Sequence, residues 1–499
     1  MAHEYCFQVD ILEREALQVL RLVRTVKNSF APINRIPPEI LSLVPDYYPE
    51  DDMDECLIAL THVCRSWRRT FIHRPSLWTR LDLTNIGKTR TYIRRSRSSP
   101  LKLHLWDHQI VGDAFAPVTP HIGQLKSLTL TINAKAPPIV LTHFRCHAPL
   151  LEKLDIDTFA TNRVLGSGLF NGDLSSLREL RVCGVITHLP WKNLANLRSV
   201  ILENCFPQHS VTPLLDFFES APLLHTVRLE GLITCSSDTP RCRMIPLRHL
   251  KALVIDADLS PSILLRHLHI PTGASLTSEF WFDGEESPYL DYLPERPSNF
   301  CNLSDITAIN LLLYSRQVRL RLSGSSGSLR VLAFSHQSLP YPTRCRILRS
   351  LDPFLSTTQR LAISDYEYPE QCEVEDCPIF QVLSSANNLR TLILTSCVGL
   401  PFLRALDPGQ HPSNHVLCPK LEELVFYLHF RTPVDFEHLT GMIENRSSRG
   451  SKFSSITLVS DTDLYGQVEE VLKLREHVTD VVYRVDESDP PDWDHVPGG

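Results

Sequence analysis

From Leu125 onward one arrangement of apolar and polar positions recurs: an apolar residue, two others, an apolar residue, one other, an apolar residue. It runs through Leu125-Leu128-Leu130, Leu151-Leu154-Ile156 and Leu177-Leu180-Val182, then Leu197-Val200-Leu202, Leu224-Val227-Leu229 and Leu250-Leu253-Ile255. These starts lie 20 to 27 residues apart. Later copies follow at Ile306-Ile309-Leu311, Leu329-Leu332-Phe334, Leu389-Leu392-Leu394, Leu421-Leu424-Phe426 and Phe453-Ile456-Leu458, with a degenerate one at Thr358-Leu361-Ile363. The gap after Leu250 has room for one more divergent copy near Leu276 to Phe282. In a strand, alternate side chains point to opposite faces, so the last two apolar residues of each copy point into a core and the residue between them points out. Helical stretches are predicted between strands, at Thr212–Phe218, Pro378–Leu383 and Phe436–Ile443. One strand and one helix per unit predicts a stack in which each unit covers its neighbour.

The first eighty residues follow another rhythm. Leu12, Ala16, Leu17, Leu20, Val23 and Val26 recur at three- and four-residue steps, which predicts an amphipathic helix over residues 12–30. Ile36-Pro37-Pro38-Glu39-Ile40-Leu41 then predicts a short helix from about Pro37 to Leu43, with proline in its first turn and Glu39 at its positive end. Asp46 to Glu55 is acidic and reads as a solvated loop. Leu57, Leu60, Val63, Cys64 and Trp67 form one further helical stripe, and the segment closes on Pro75-Ser76-Leu77-Trp78. Two tryptophans so close together point to a small domain that packs on a partner as well as on itself.

Three blocks in this region, Ile36-Pro37-Pro38-Glu39-Ile40-Leu41, Val63-Cys64-Arg65-Ser66-Trp67 and Pro75-Ser76-Leu77-Trp78, resemble the F-box in content and order. The acidic insertion between the first two is longer than the family's usual connection. The resemblance implies docking of a Skp-family adaptor, and through it a cullin ligase, with Ile36, Pro37, Ile40, Val63, Trp67, Leu77 and Trp78 as anchors. The alternative is that Val63, Trp67 and Trp78 are internal core. The later array resembles leucine-rich repeats, whose period is roughly 20–29 residues. Asn133, Cys205 and Cys397 stand eight positions after a pattern start, where that family often carries Asn or Cys. The whole resembles F-box and leucine-rich-repeat proteins of mushroom-forming fungi. The implied fold class is α/β: an N-terminal helix over 1–32, a helical F-box over 33–83, a solenoid of about 12–13 irregular repeats over 84–484, and an acidic, disordered tail over 485–499.

Composition narrows the function. Across 499 residues the formal net charge is −7, which argues against a protein that coats nucleic acid. The acidic start lacks the pattern of a secretory signal, and no apolar run approaches a membrane span, so a cytoplasmic or nuclear protein without membrane contact is expected. The 14 cysteines are scattered, as free thiols of a reducing compartment are. Cys235/Cys242 and Cys372/Cys377 lack zinc-knuckle spacing, and neither His104/His108 nor His267/His269 belongs to a zincin pattern. With no nucleophile elbow, Walker loop or dinucleotide fingerprint, no cofactor and no catalysis by this chain are expected.

On a solenoid the outward strand residues line one surface. They read Thr129, Asp155, Arg181, Ile201, Arg228 and Val254, then Ala333, Ala362, Ile393, Val425 and Thr457. The apolar run Val254, Ala333, Ala362, Ile393 and Val425 marks either a target-binding groove or a surface covered by the segment 283–304 or the tail. Asp283 to Pro297 reads as a projecting loop, Ser323 to Ser328 as a turn between repeats, and the basic run Lys88 to Arg97 as a solvated helix face. The expectation is a non-catalytic substrate receptor of a ubiquitin ligase with an unknown target protein. The alternative is a scaffold whose F-box is degenerate and has no ubiquitin role.

Overall fold

The computed structural model describes residues 2–49, 52–106, 115–132, 143–158, 163–165, 169–187, 193–205, 211–232, 243–257, 262–282, 299–365, 378–410, 415–428, 436–460 and 468–485. The chain divides into two compact units, one formed by 1–160 and 167–177, the other by 161–166 and 178–499. Cys235, Cys242, Cys372, Cys377, Asn133, the loop Asp283 to Pro297 and the tail beyond 485 lie outside the described residues.

The first unit opens with helix α1 (Ala2–Ser29), ten residues longer at its start than the apolar periodicity predicts. Four helices follow: α2 (Pro38–Leu41), α3 (Met53–Val63), α4 (Arg65–Ile72) and, beyond a 3-10 turn over Pro75–Trp78, α5 (Ile86–Ser96). The single helical stripe expected from Leu57 to Trp67 is two helices. Cys64 between them is fully extended (φ −156°, ψ 174°), which turns the chain and sends Trp67 out on a second axis. Asn85 caps α5 by accepting a hydrogen bond from the Lys88 amide at 3.0 Å. Strands β1 (Arg80–Leu81), β2 (Leu101–Trp106), β3 (Leu125–Ile132) and β4 (Lys153–Thr158) pair in that order, all parallel. Leu103, Leu128 and Leu154 stand side by side in one inward row, with Leu105, Leu130 and Ile156 in the next, and all are buried.

The second unit is built on a large, mostly parallel sheet. Strands Glu179–Cys183, Ser199–Glu203, Thr226–Leu232, Ala252–Ala257 and Ser275–Phe282 pair in chain order. Leu180, Val200, Val227, Leu253 and Leu276 form one continuous buried row, and full burial of each is worth about 1.5–3 kcal/mol. In several copies the first leucine ends a tight turn: the amides of Leu197, Leu224, Leu250, Leu389 and Leu421 each donate to the carbonyl three residues earlier. Cys205 is buried, its thiol within 3.0 Å of the Val182 carbonyl and 3.1 Å of that of Glu203, so its packing role holds. Farther on, Arg360–Asp365, Thr391–Thr395, Glu423–Leu428, Ser455–Ser460 and Asp480–Val485 again pair in parallel and in order. Helices Thr212–Ser220, Pro378–Ser385 and Phe436–Ser448 occupy the predicted connections.

Between these two runs the repeat order breaks. Ile306–Leu313, Gln317–Gly324 and Gly327–Ser335 form an antiparallel meander, so Ser275–Phe282 pairs with Gly327–Ser335 while Ile306–Leu313 pairs with Arg360–Asp365. Only three residues join the first pair of strands and two the second, too few for the crossover that parallel strands require. Ser323 to Ser328 is thus a hairpin rather than a turn between repeats. Gly327 (φ +141°) takes a conformation closed to other residues. The hairpin also sets the side-chain register: Leu276, Ser278 and Phe280 face Leu329, Val331 and Ala333 on the inward side. Leu332 and Phe334, expected inward, lie on the opposite face.

Candidate functional site

The small helical domain is organised around its two tryptophans. Leu57, Leu60, Trp67 and Phe71 bring α3 and α4 together, with the Trp67 and Phe71 rings edge-to-face at 6.0 Å. The Trp67 indole donates to Asn34 Oδ1 at 2.7 Å, tying the segment before α2 to α4. Trp78 is 1% exposed. Its indole donates to the Phe71 carbonyl at 2.9 Å, its ring meets Tyr92 edge-to-face at 5.0 Å, and the Arg95 guanidinium lies over it at 4.2 Å. Arg74 donates to the Ser42 carbonyl and sits 3.5 Å from Asp46, closing the turn after α2.

One charged cluster braces the far side. Lys88 on α5 contacts Asp54 at 2.7 Å and Asp82 at 2.6 Å. Burial works against the Lys88 charge, but hydrogen bonds and charges from Asp54 and Asp82 outweigh it and raise its pKa. Burial likewise opposes the charge of Asp82, yet Lys88 and the Thr84 amide hold this carboxyl below its ordinary value. Burial, reinforced by the Asp54 charge, pushes the neighbouring Tyr92 phenol up to about 12. Part of the basic run is therefore engaged inside the domain: Lys88 by ion pairing and Arg95 by stacking.

The expected anchors divide. Ile40 (56% exposed) and Val63 (55%) stand on the surface, Pro37 is exposed, and Ile36 and Leu77 are half-buried. Trp67 (8%) and Trp78 are core residues, because each satisfies its indole N–H and packs its ring within the domain. For these two residues the placement is that of the alternative reading, internal core. Leu43, Tyr47 and Ile58, which the sequence reading passed over, are also exposed. The signal for Ile58 was its place one residue beyond the buried Leu57 on a helix whose next inward position is Leu60.

The expected target-binding row divides as well, part of it covered and part open. Ala362, Ile393 and Ala333 are buried, and Val254 and Val425 are half-buried. Ala333 is covered because the hairpin register turns it inward opposite Phe280. Ala362 and Ile393 are register partners in a stretch where Asn310, Leu312, Ser364 and Thr395 of the same face are buried too. A further open part of the face lies elsewhere. Trp281 is exposed and stacks on Phe334 at 5.1 Å and on His336 at 5.0 Å, a cluster that depends on the meander. Nearby strands carry charge along the same face, with Arg181 and Glu203 paired at 3.0 Å and Arg228 paired with Glu230.

Among the described residues, no group of three or more His, Cys, Asp or Glu is placed to hold a metal, and no helix is long and apolar enough to cross a membrane. Residues 33–84 match the model of the F-box-like family. No curated protein matches the chain. The chain therefore carries an F-box-like domain that coincides with the helical segment organised by Trp67 and Trp78.

Proposed function

We propose that this protein is the substrate receptor of a Skp–cullin–F-box ubiquitin ligase, acting in the cytoplasm or nucleus. The observation that carries the proposal is the F-box-like match over 33–84, on a domain that presents Ile40 and Val63 outward from a satisfied tryptophan core. The exposed residues dock the Skp-family adaptor, and Trp67 and Trp78 hold the helices that present them. The parallel strands with their recurrent leucine turns act as irregular leucine-rich repeats, interrupted by the meander, and capture the target. With Ala333, Ala362 and Ile393 buried, the target-facing elements are the charged strand face before the meander and the Trp281 cluster. The chain transfers no ubiquitin itself. It raises the effective concentration of target lysines at a recruited conjugating enzyme.

The test is co-purification of the full chain with a Skp-family adaptor beside the double variant Ile40→Asp, Val63→Asp. Both substitutions fall on exposed positions, so the variant is expected to fold, as circular dichroism would verify. Stoichiometric capture by the native chain and its loss in the folded variant are expected. A folded native chain that captures no adaptor refutes the ligase reading and leaves a scaffold with a degenerate F-box.

A further inference from the structure

Helix α1 spans 28 residues, about 42 Å at 1.5 Å per residue, and every residue with a described side chain is exposed. One set of its apolar side chains is regularly spaced, with Phe7, Ile11, Leu17, Leu20 and Leu22 exposed beside it. Val9, Ala16 and Val23 repeat every seven residues, and Tyr5, Leu12, Val19 and Val26 form a second seven-residue series interleaved with the first. The two series alternate at steps of four and three, and Phe30, one residue past the helix, adds another step. Such a seam is the signature of a helix that supercoils against another helix. Near its C-terminal end the helix leans on its own domain by another side, where Arg21, Arg24, Thr25 and Asn28 line a recess with Asn34 and Cys64, Arg24 standing at the border between that side and the seam's flank. The Asn34 side-chain amide donates to the Asn28 carbonyl at 2.7 Å. The seam is left outward, with Leu12, Val19 and Val23 all more than half exposed.

We infer that α1 pairs antiparallel with α1 of a second copy of this chain. Charge selects the occupant and the direction. Asp10 and Glu13 lie on one flank of the seam in the first half of the helix. Arg24 and Lys27 lie on the same flank fourteen residues on, two heptads later. In an antiparallel pair like flanks meet, so Asp10 faces Lys27 of the second copy and Glu13 faces its Arg24. The two-fold axis makes each contact twice. In a parallel pair this flank meets the one carrying Gln8 and Glu15, and the acidic residues gain no opposite charge. The antiparallel arrangement also sets the small Ala16 against Val19 and Tyr5 against Phe30. Burying the seam on both helices removes on the order of 1,200 Å² from water, above the roughly 1,000 Å² that a specific interface needs.

The experiment is sedimentation velocity on the full chain at micromolar concentration, with oxidative cross-linking of a Lys27→Cys variant. Exposed Cys6 stands on the same flank, so in an antiparallel pair it meets position 27 of the second copy. A species of twice the 56.8 kDa chain mass is expected, with a 6–27 disulfide mapped by mass spectrometry. Leu12→Lys, Val19→Lys, which leaves an exposed helix free to form, is expected to raise the dissociation constant at least about 100-fold. A monomer, a dimer that survives this double substitution, or a 27–27 linkage in place of 6–27 would each overturn the inference. Adaptor capture reads residues 33–84 and is a separate measurement, so the two proposals can fail independently.

Discussion

Replacing Trp78 separates a core tryptophan from a surface anchor. In Trp78→Ala the chain loses a ring that is 1% exposed, its edge-to-face contact with Tyr92 at 5.0 Å, the Arg95 guanidinium at 4.2 Å, and the bond to the Phe71 carbonyl at 2.9 Å. Removing a large buried aromatic side chain costs about 3–5 kcal/mol, because the cavity collapses only partly. Trp78→Phe keeps most of the ring and loses chiefly the indole N–H, which leaves a carbonyl without that partner and costs about 1–2 kcal/mol. With two units in the chain, a single melting midpoint is not a defined quantity. The assay is therefore amide hydrogen exchange within α3 and α4, where protection reports the opening of this domain. Protection is expected to fall by roughly two to nearly four orders of magnitude in the alanine variant, and by about tenfold in the phenylalanine variant. If Trp78→Ala kept native protection within about threefold yet lost the adaptor, Trp78 would be a docking anchor and the packing argument would fail.

Three further outcomes follow from the same physics. Arg344 and Asp365 form a fully buried ion pair, and the Arg344 Nε donates to the Leu339 carbonyl at 3.0 Å, fixing the exit of the meander. Arg344→Met strands a buried carboxylate and is expected to destabilise the second unit by about 3–5 kcal/mol in urea unfolding, whereas an effect below about 1 kcal/mol would discount the pair. Ile393→Asp places a charge where the native side chain is buried and is expected to unfold that unit, while Thr457→Asp, half-exposed in the same row, shifts its urea midpoint little; equal effects would contradict the burial pattern. The Lys88 cluster adds a pH dependence at both ends. Asp82 has a lowered pKa, so its contribution is present above about pH 4 and is lost as pH falls through the folded value. Lys88 has a raised pKa, so its contribution is present below about pH 10 and is lost as pH rises through the folded value. Lys88→Met is expected to flatten both limbs in pH-dependent exchange, and a limb that persisted would assign the effect to other groups.

The strand positions were legible because their signal is local. Alternation along a strand and a turn every 20 to 27 residues need no knowledge of distant partners, and so Leu180, Val200, Val227 and Leu253 lie inward as their spacing predicts. The F-box blocks were legible for the same reason, and residues 33–84 bear them out. What the blocks could not tell was whether the tryptophans face a partner or the core. A ring with a polar edge suits a partner's pocket or a core equally, and Asn34, Phe71, Tyr92 and Arg95 decided for the core by satisfying the indoles and covering the rings. The meander escaped the periodic reading because its strands keep the same alternation. The two- and three-residue connections and the pairing of Leu276 with Leu329 reverse its order and move Ala333 inward. Alternation determines which residues share a face of one strand. Only the pairing of strands distant in sequence decides which of those faces is covered, and so which residues are left for a partner.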